Sequence, residues 1–155
     1  MTNLRWSFAA AVLAVSACGG GAGDPPPPFK PIADTLLLME SFIDPSADVI
    51  WGSVGTIITA AGEEHIRPKT EEEWTHVRNA AVAVSEAGYL LMMAPRAIDG
   101  DEWMRLSQAM VDTGAAAIKA AEAKDPDAVF DAGAEIYAVC TNCHAKYDPS
   151  ISRVQ

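Results

Sequence analysis

The stretch DPDAVFDAGAEIYAVCTNCHAKY, residues 125–147, decides how the rest of the chain is read. Asp125 before Pro126 is a helix N-cap followed by proline at the first helical position, where a missing N–H leaves no hydrogen bond unmade. From there Val129, Gly133, Ile136, Cys140, Cys143 and Tyr147 recur at spacings of three and four, which makes one stripe of a helix. Cys140 and Cys143 therefore share a face, and His144 stands beside them. Two thiols at i and i+3 with an imidazole directly after them form the attachment sequence of a c-type haem. The thiols add across two vinyl groups as thioethers, and the imidazole comes under the iron as proximal ligand. Two other chemistries use the same residue types. A redox dithiol wants a preceding strand in a βαβ setting, whereas this motif ends a helix near the C-terminus. Structural zinc wants a second pair of ligands, which His65 and His76 would have to supply from far off in sequence.

Outward from this helix the same period continues. Trp103, Leu106, Met110, Thr113 and Ala117 make the stripe of a helix over about 101–124, and Trp74, Val77, Ala81, Val84, Gly88 and Leu91 that of a helix over about 71–94, stopped by Pro95. Thr70-Glu71-Glu72-Glu73 opens the latter as a capping box, with three acids on the positive end of the helix dipole. Before it, residues 32–43 are helical in pattern, Asp44-Pro45 either caps a fresh helix or kinks a continuing one, and residues 49–60 carry Ile50, Val54 and Ile57 inward. These count as one kinked arm. No stretch alternates apolar and polar residues for long, so helices and no strands are expected. Four arms with short links predict an all-α fold, an antiparallel four-helix bundle running up-down-up-down; the competing arrangement is a three-helix or irregular α domain.

The chain has 155 residues, enough for one domain, and half of them are apolar. Residues 1–17 read as a secretory signal peptide, with Arg5 as its one charge and an apolar run from Phe8 to Val15. Val15-Ser16-Ala17-Cys18 is similar to the bacterial lipobox, which makes Cys18 the lipidated residue; an ordinary cleavage near Ala17 would leave it a bystander. Residues 18–31, Gly-rich and then Pro25 to Pro28, form a linker, and 32–155 form the folded domain. The expected location is the periplasm, with a lipid anchor in a bacterial membrane. Three cysteines thus divide as one for lipid and two for haem, leaving no free thiol and no disulfide. A net charge of -10 argues against binding nucleic acid or an anionic lipid surface, and favours a redox partner with a basic docking face.

An exported helical bundle whose last helix ends in Cys140-x-x-Cys143-His144-x-x-Tyr147 resembles the class II cytochromes c, the cytochrome c-prime superfamily, over about residues 32–147. The resemblance implies one covalent haem c at one end of the bundle, held by the C-terminal helix. It implies that the first-helix residue opposite His144 decides coordination. An apolar side chain there leaves iron five-coordinate and reactive toward NO or CO, and a methionine fills the sixth site. It also implies pairing of two copies through their first two helices. Asp148 departs from the pattern, since a basic residue often follows the tyrosine.

Met39 is the candidate distal ligand. It lies seven residues into the first arm and Cys140 seven residues before Tyr147, each about 10 Å from its helix end at 1.5 Å per residue. In an up-down bundle those ends are level. Met39 otherwise packs as an ordinary core methionine. His76, about 27 Å by rise from the end of its helix, and His65, in a loop, belong to the far end. Met92, Met93 and Met104 fall in the haem layer as lining candidates. Trp103 and Tyr147 are candidates to pack on the macrocycle, and Arg96 and Arg105 to pair with its propionates. No carboxylate pair, nucleophile with base, or phosphate loop suggests an enzyme. The function expected is electron transfer by a six-coordinate haem; the alternatives are a five-coordinate gas-binding protein and a helical lipoprotein without haem.

Overall fold

The computed structural model describes residues 30–148; the signal segment, Cys18 and all but the last two residues of the linker lie outside the described residues. The described chain is mostly helical, with one two-stranded sheet. A first arm is built of α1 (Thr35–Leu38), a π-helical turn (Met39–Ile43) and α2 (Asp44–Ser53). A hairpin of β1 (Gly55–Thr59) and β2 (Gly62–Ile66) follows, and then come α3 (Glu71–Met92), α4 (Glu102–Ala123) and α5 (Pro126–Tyr147). Among the described residues no helix is long and apolar enough to cross a membrane.

The caps act as their chemistry dictates. Thr70 Oγ1 accepts from the Glu73 N–H at 3.2 Å while the Glu73 carboxylate accepts from the Thr70 N–H at 2.9 Å. Asp125 accepts from the N–H groups of Asp127 and Ala128, both at 3.1 Å. At α4 the cap comes from upstream of the residue next to the helix. Asp101 precedes the helix without a side-chain bond, and Asp99 Oδ1 accepts from Trp103 N at 2.9 Å in its place. The first arm begins at Thr35, capped by Asp34, so Ile32 stands outside it, fully exposed. At Asp44-Pro45 the helix continues through a widened turn. Pro45 has no N–H and its ring crowds the carbonyl four residues back, and just upstream the Asp44 N–H reaches back to Met39 O, five residues away.

The hairpin corrects the expectation of helices alone and of an arm running to Ala60. The backbone leaves the helix at Val54, with φ -139° and ψ 149°. Gly55 and Gly62 take φ values of +154° and +131°, which L side chains avoid. Between them Thr56-Ile57-Ile58-Thr59 is a β-branched run suited to an extended chain. Ile50 and Val54 are buried as the stripe requires, but Ile57 is 46% exposed rather than inward.

Ion pairs and hydrogen bonds show which element ends meet. Lys124 at the end of α4 pairs with Glu71 at the start of α3. At the opposite end Tyr147, closing α5, bonds to Asp99 before α4, and Arg96, after α3, bonds to Ala33 before α1. Neighbouring helices therefore run in opposite senses, and the start of the first arm, the end of α3, the start of α4 and the end of α5 share one end of the molecule. The core runs through the middle, with Ile50, Val84, Val129 and Ile136 wholly buried. α3 and α4 approach most closely. A Cβ on Gly114 would lie 2.7 Å from Ser85 N, and Ser85 Oγ donates to Val111 O at 3.0 Å across the seam.

Candidate functional site

At the end of the molecule that carries both Tyr147 and Ala33, α5 presents Val139, Cys140, Cys143 and His144 to a small cavity. The π-turn supplies Met39 and Ile43 to it, with Asp44 just after, while α3 supplies Leu91 and α4 supplies Leu106, Ser107 and Met110. Met39 and His144, 105 positions apart in the sequence, thus line the same space. The widened turn is a local reason for Met39's placement, because a π-turn resets the direction of the side chains around it by part of a turn. The cavity holds about 30 Å³, room for a water or two. That is far too small for a macrocycle, which could fit only if the first arm and α5 moved apart.

The donor set fits a c-type haem. Cys140 and Cys143 are free, half-buried thiols one helical turn apart. Burial pushes the Cys140 thiol up to about 11, helped by Cys143 and Asp44, and burial with Glu102 raises Cys143. Burial thus disfavours the thiolate form of both. Among the described residues no three His, Cys, Asp or Glu side chains converge as metal ligands. His65 is exposed on β2, with Nδ1 3.1 Å from Thr56 Oγ1, and His76 is exposed at the start of α3 beside Asp48 and Arg67, both at the far end as expected.

The tentative haem contacts lie just outside this cavity. Trp103 is buried, donates from Nε1 to Leu91 O at 2.8 Å, and meets the Tyr147 ring edge-on at 5.0 Å. Tyr147 OH donates to Asp99 Oδ2 at 2.5 Å. This bond is the largest cause holding the Asp99 carboxyl below its ordinary 3.8, and burial with that bond pushes Tyr147 up to about 12. These contacts tie the last turn of α5 to the start of α4, one turn beyond His144. Arg96 is buried to 8% exposure, with Nε and Nη2 donating to Ala33 O at 3.2 and 2.9 Å and Nη1 to Leu90 O at 3.1 Å. It clasps the first arm to α3 rather than lining the cavity. Arg105 pairs with Glu102 on the surface. Met92 ends α3, Met93 follows it as the cap, and Met104 packs at the edge of the core; none of the three lines the cavity.

Sequence reasoning missed Asp99 as the partner of Tyr147, and it took Met110 only as core. Met110 was visible as a stripe residue level with the site. Nothing local marks the Asp99 pairing, which spans 48 positions. Comparison with family models, with curated proteins and with solved structures finds no match to this chain.

Proposed function

We propose that the chain is an exported c-type cytochrome of the class II kind, a four-helix bundle that passes electrons through one covalent haem. The observation that carries the reading is the shared cavity: a Cys-x-x-Cys-His motif from α5 and a methionine from the first arm face each other across apolar walls. Bound haem supplies a one-electron Fe(III)/Fe(II) couple. Cys140 and Cys143 would hold it as thioethers, and His144 and the Met39 thioether would be its iron ligands. Ile43, Leu91, Leu106, Met110 and Val139 keep water away, which favours the reduced form and raises the potential. Histidine with methionine leaves no open position, which suits electron transfer better than gas capture. Trp103 and Tyr147 hold the end of α5, and Arg96 holds the start of the arm that carries Met39. An acidic surface, net -10 for the chain, suits docking to a basic partner that weakens as salt rises. The Cys18 lipid and the linker would keep the domain near a membrane outside the cytoplasm.

The test is the absorption spectrum after expression with a haem-maturation system. A pyridine haemochrome of the c type, low-spin lines in both redox states, and the weak red band of methionine-to-ferric-iron ligation are expected. A high-spin, CO-reactive ferrous spectrum would assign the protein to gas binding. Absence of any haemochrome would leave a helical lipoprotein.

A further inference from the structure

The hairpin stands at the end of the molecule away from the Cys140–His144 cavity, and electron transfer makes no use of it. Its two edges are not alike. The two-residue loop Ala60-Ala61 closes on the pair Thr59 and Gly62, which in a hairpin of this length exchanges both backbone hydrogen bonds. Alternation from that pair turns the peptide groups of Ile57 toward β2 and those of Thr56 and Ile58 outward. β1 reads Gly-Thr-Ile-Ile-Thr, β-branched and uncharged, whereas β2 reads Gly-Glu-Glu-His-Ile. Charged side chains protect a strand edge from pairing, and β1 has none. The strands make their main contacts with each other. Ile57 and Ile58 are 46% and 74% exposed. A two-stranded hairpin is marginal in water, and added strands are what stabilise one.

We propose that β1 pairs with β1 of a second copy of this chain, across a two-fold axis at Ile57, to make a four-stranded antiparallel sheet ordered β2-β1-β1-β2. Thr56 of each copy then lies opposite Ile58 of the other, and these four residues exchange the backbone bonds that point outward from β1. Ile57 meets its own copy on one face of the sheet, and two Thr56–Ile58 pairs meet on the other. All are β-branched contacts of the kind that stabilise cross-strand pairing. The same operation on β2 would set Glu64 against Glu64, so charge closes that edge. In the dimer the two β2 strands are three strand spacings apart, about 14 Å, beyond the Debye length at physiological salt. The remaining like-charge repulsion between copies is screened by salt, so pairing strengthens with ionic strength while docking of a basic partner weakens.

Sedimentation equilibrium of the purified exported protein tests this. Pairing of two five-residue strands makes a small interface, so a reversible dimer is expected that grows with protein concentration and with salt. Ile57→Lys should raise the dissociation constant at least tenfold with helical circular dichroism unchanged. A cysteine pair tests the register and stands even if that variant misfolds. Ile57→Cys should form an interchain disulfide on oxidation, and Thr59→Cys should not, because its two Cα atoms would be about 14 Å apart. A monomer throughout from about 1 µM to about 1 mM, a dimer indifferent to Ile57→Lys, or equal cross-linking at positions 57 and 59 would each overturn the proposal.

Discussion

Two helix seams of this molecule are built in opposite ways. Between α3 and α4 the chain removes side chains. Gly88 and Gly114 sit where a Cβ would strike the facing backbone, the first 2.6 Å from Ser107 O and the second 2.7 Å from Ser85 N. Between the first arm and α5 it places large or reactive ones: Met39 and Ile43 toward Cys140 and Cys143 at one end, and Trp51 toward Gly133 at the other. The closed seam gains dense dispersion contact and a buried hydrogen bond from Ser85. The open seam keeps only isolated ties, among them Trp51 Nε1 to Gly133 O at 2.9 Å.

Breaking the tie that holds the start of the first arm, and so one side of the open seam, to α3 should have the largest effect on stability. Arg96→Met strips three donors from two backbone carbonyls in a nearly closed site, which costs about 3 kcal/mol and frees the start of the first arm. Urea unfolding followed by circular dichroism measures it. Next comes the closed seam. Gly114→Ala forces a methyl against Ser85 and should cost about 2 kcal/mol, whereas Gly133→Ala, whose Cβ would meet the Trp51 ring at 3.2 Å, should cost under about 1 kcal/mol because a half-exposed ring can yield. Equal costs for the two would remove the contrast between the seams. Met39→Leu nearly conserves volume and should cost about 1 kcal/mol at most. Its effect is expected in the spectrum, as loss of the methionine band and gain of a high-spin form; an unchanged low-spin spectrum would place the distal ligand elsewhere.

The smallest effect is in the acid range. The Asp99 carboxyl lies below its ordinary 3.8, chiefly through Tyr147 OH and then Trp103 N–H. A group lowered on folding stabilises the native state above its unfolded pKa, and that contribution is lost as pH falls through the lowered value. Melting temperature should therefore drop below about pH 4, and Asp99→Asn should flatten that part of the curve. At the alkaline side Tyr147, pushed up to about 12 from 10, stabilises below pH 10 and loses that contribution as pH rises toward 12. Tyr147→Phe should remove that loss, leaving the acid limb with the weaker dependence of an unpartnered Asp99.

The three long helices were legible because their signals are local. The Thr70 capping box, Asp125-Pro126 and stripes at spacings of three and four each lie within a turn or two of chain. Cys140, Cys143 and His144 were legible for the same reason. The hairpin was not. Val54 and Ile57 fall at helical spacing after Ile50, so a short apolar run satisfied the wrong period, and only Gly55 and Gly62 hinted at an extended chain. The π-turn had a partial signal in Pro45, enough to foresee a disturbance but not its form. Arg96 read as a candidate propionate partner because no sequence pattern announces that two carbonyls will close around a guanidinium.

By itself the sequence determined the helices α3 to α5, the caps of α3 and α5, and the cluster of two thiols and an imidazole at the end of α5. Each follows from bonds and side-chain spacings within a few residues. Only the tertiary structure decided that Met39 shares a cavity with His144, that Asp99 answers Tyr147, and that an uncharged strand edge faces outward at the other end. Those depend on which helix ends meet and how far each helix is rotated about its axis. Such rotations are set by packing summed over the whole chain, and one π-turn suffices to change them.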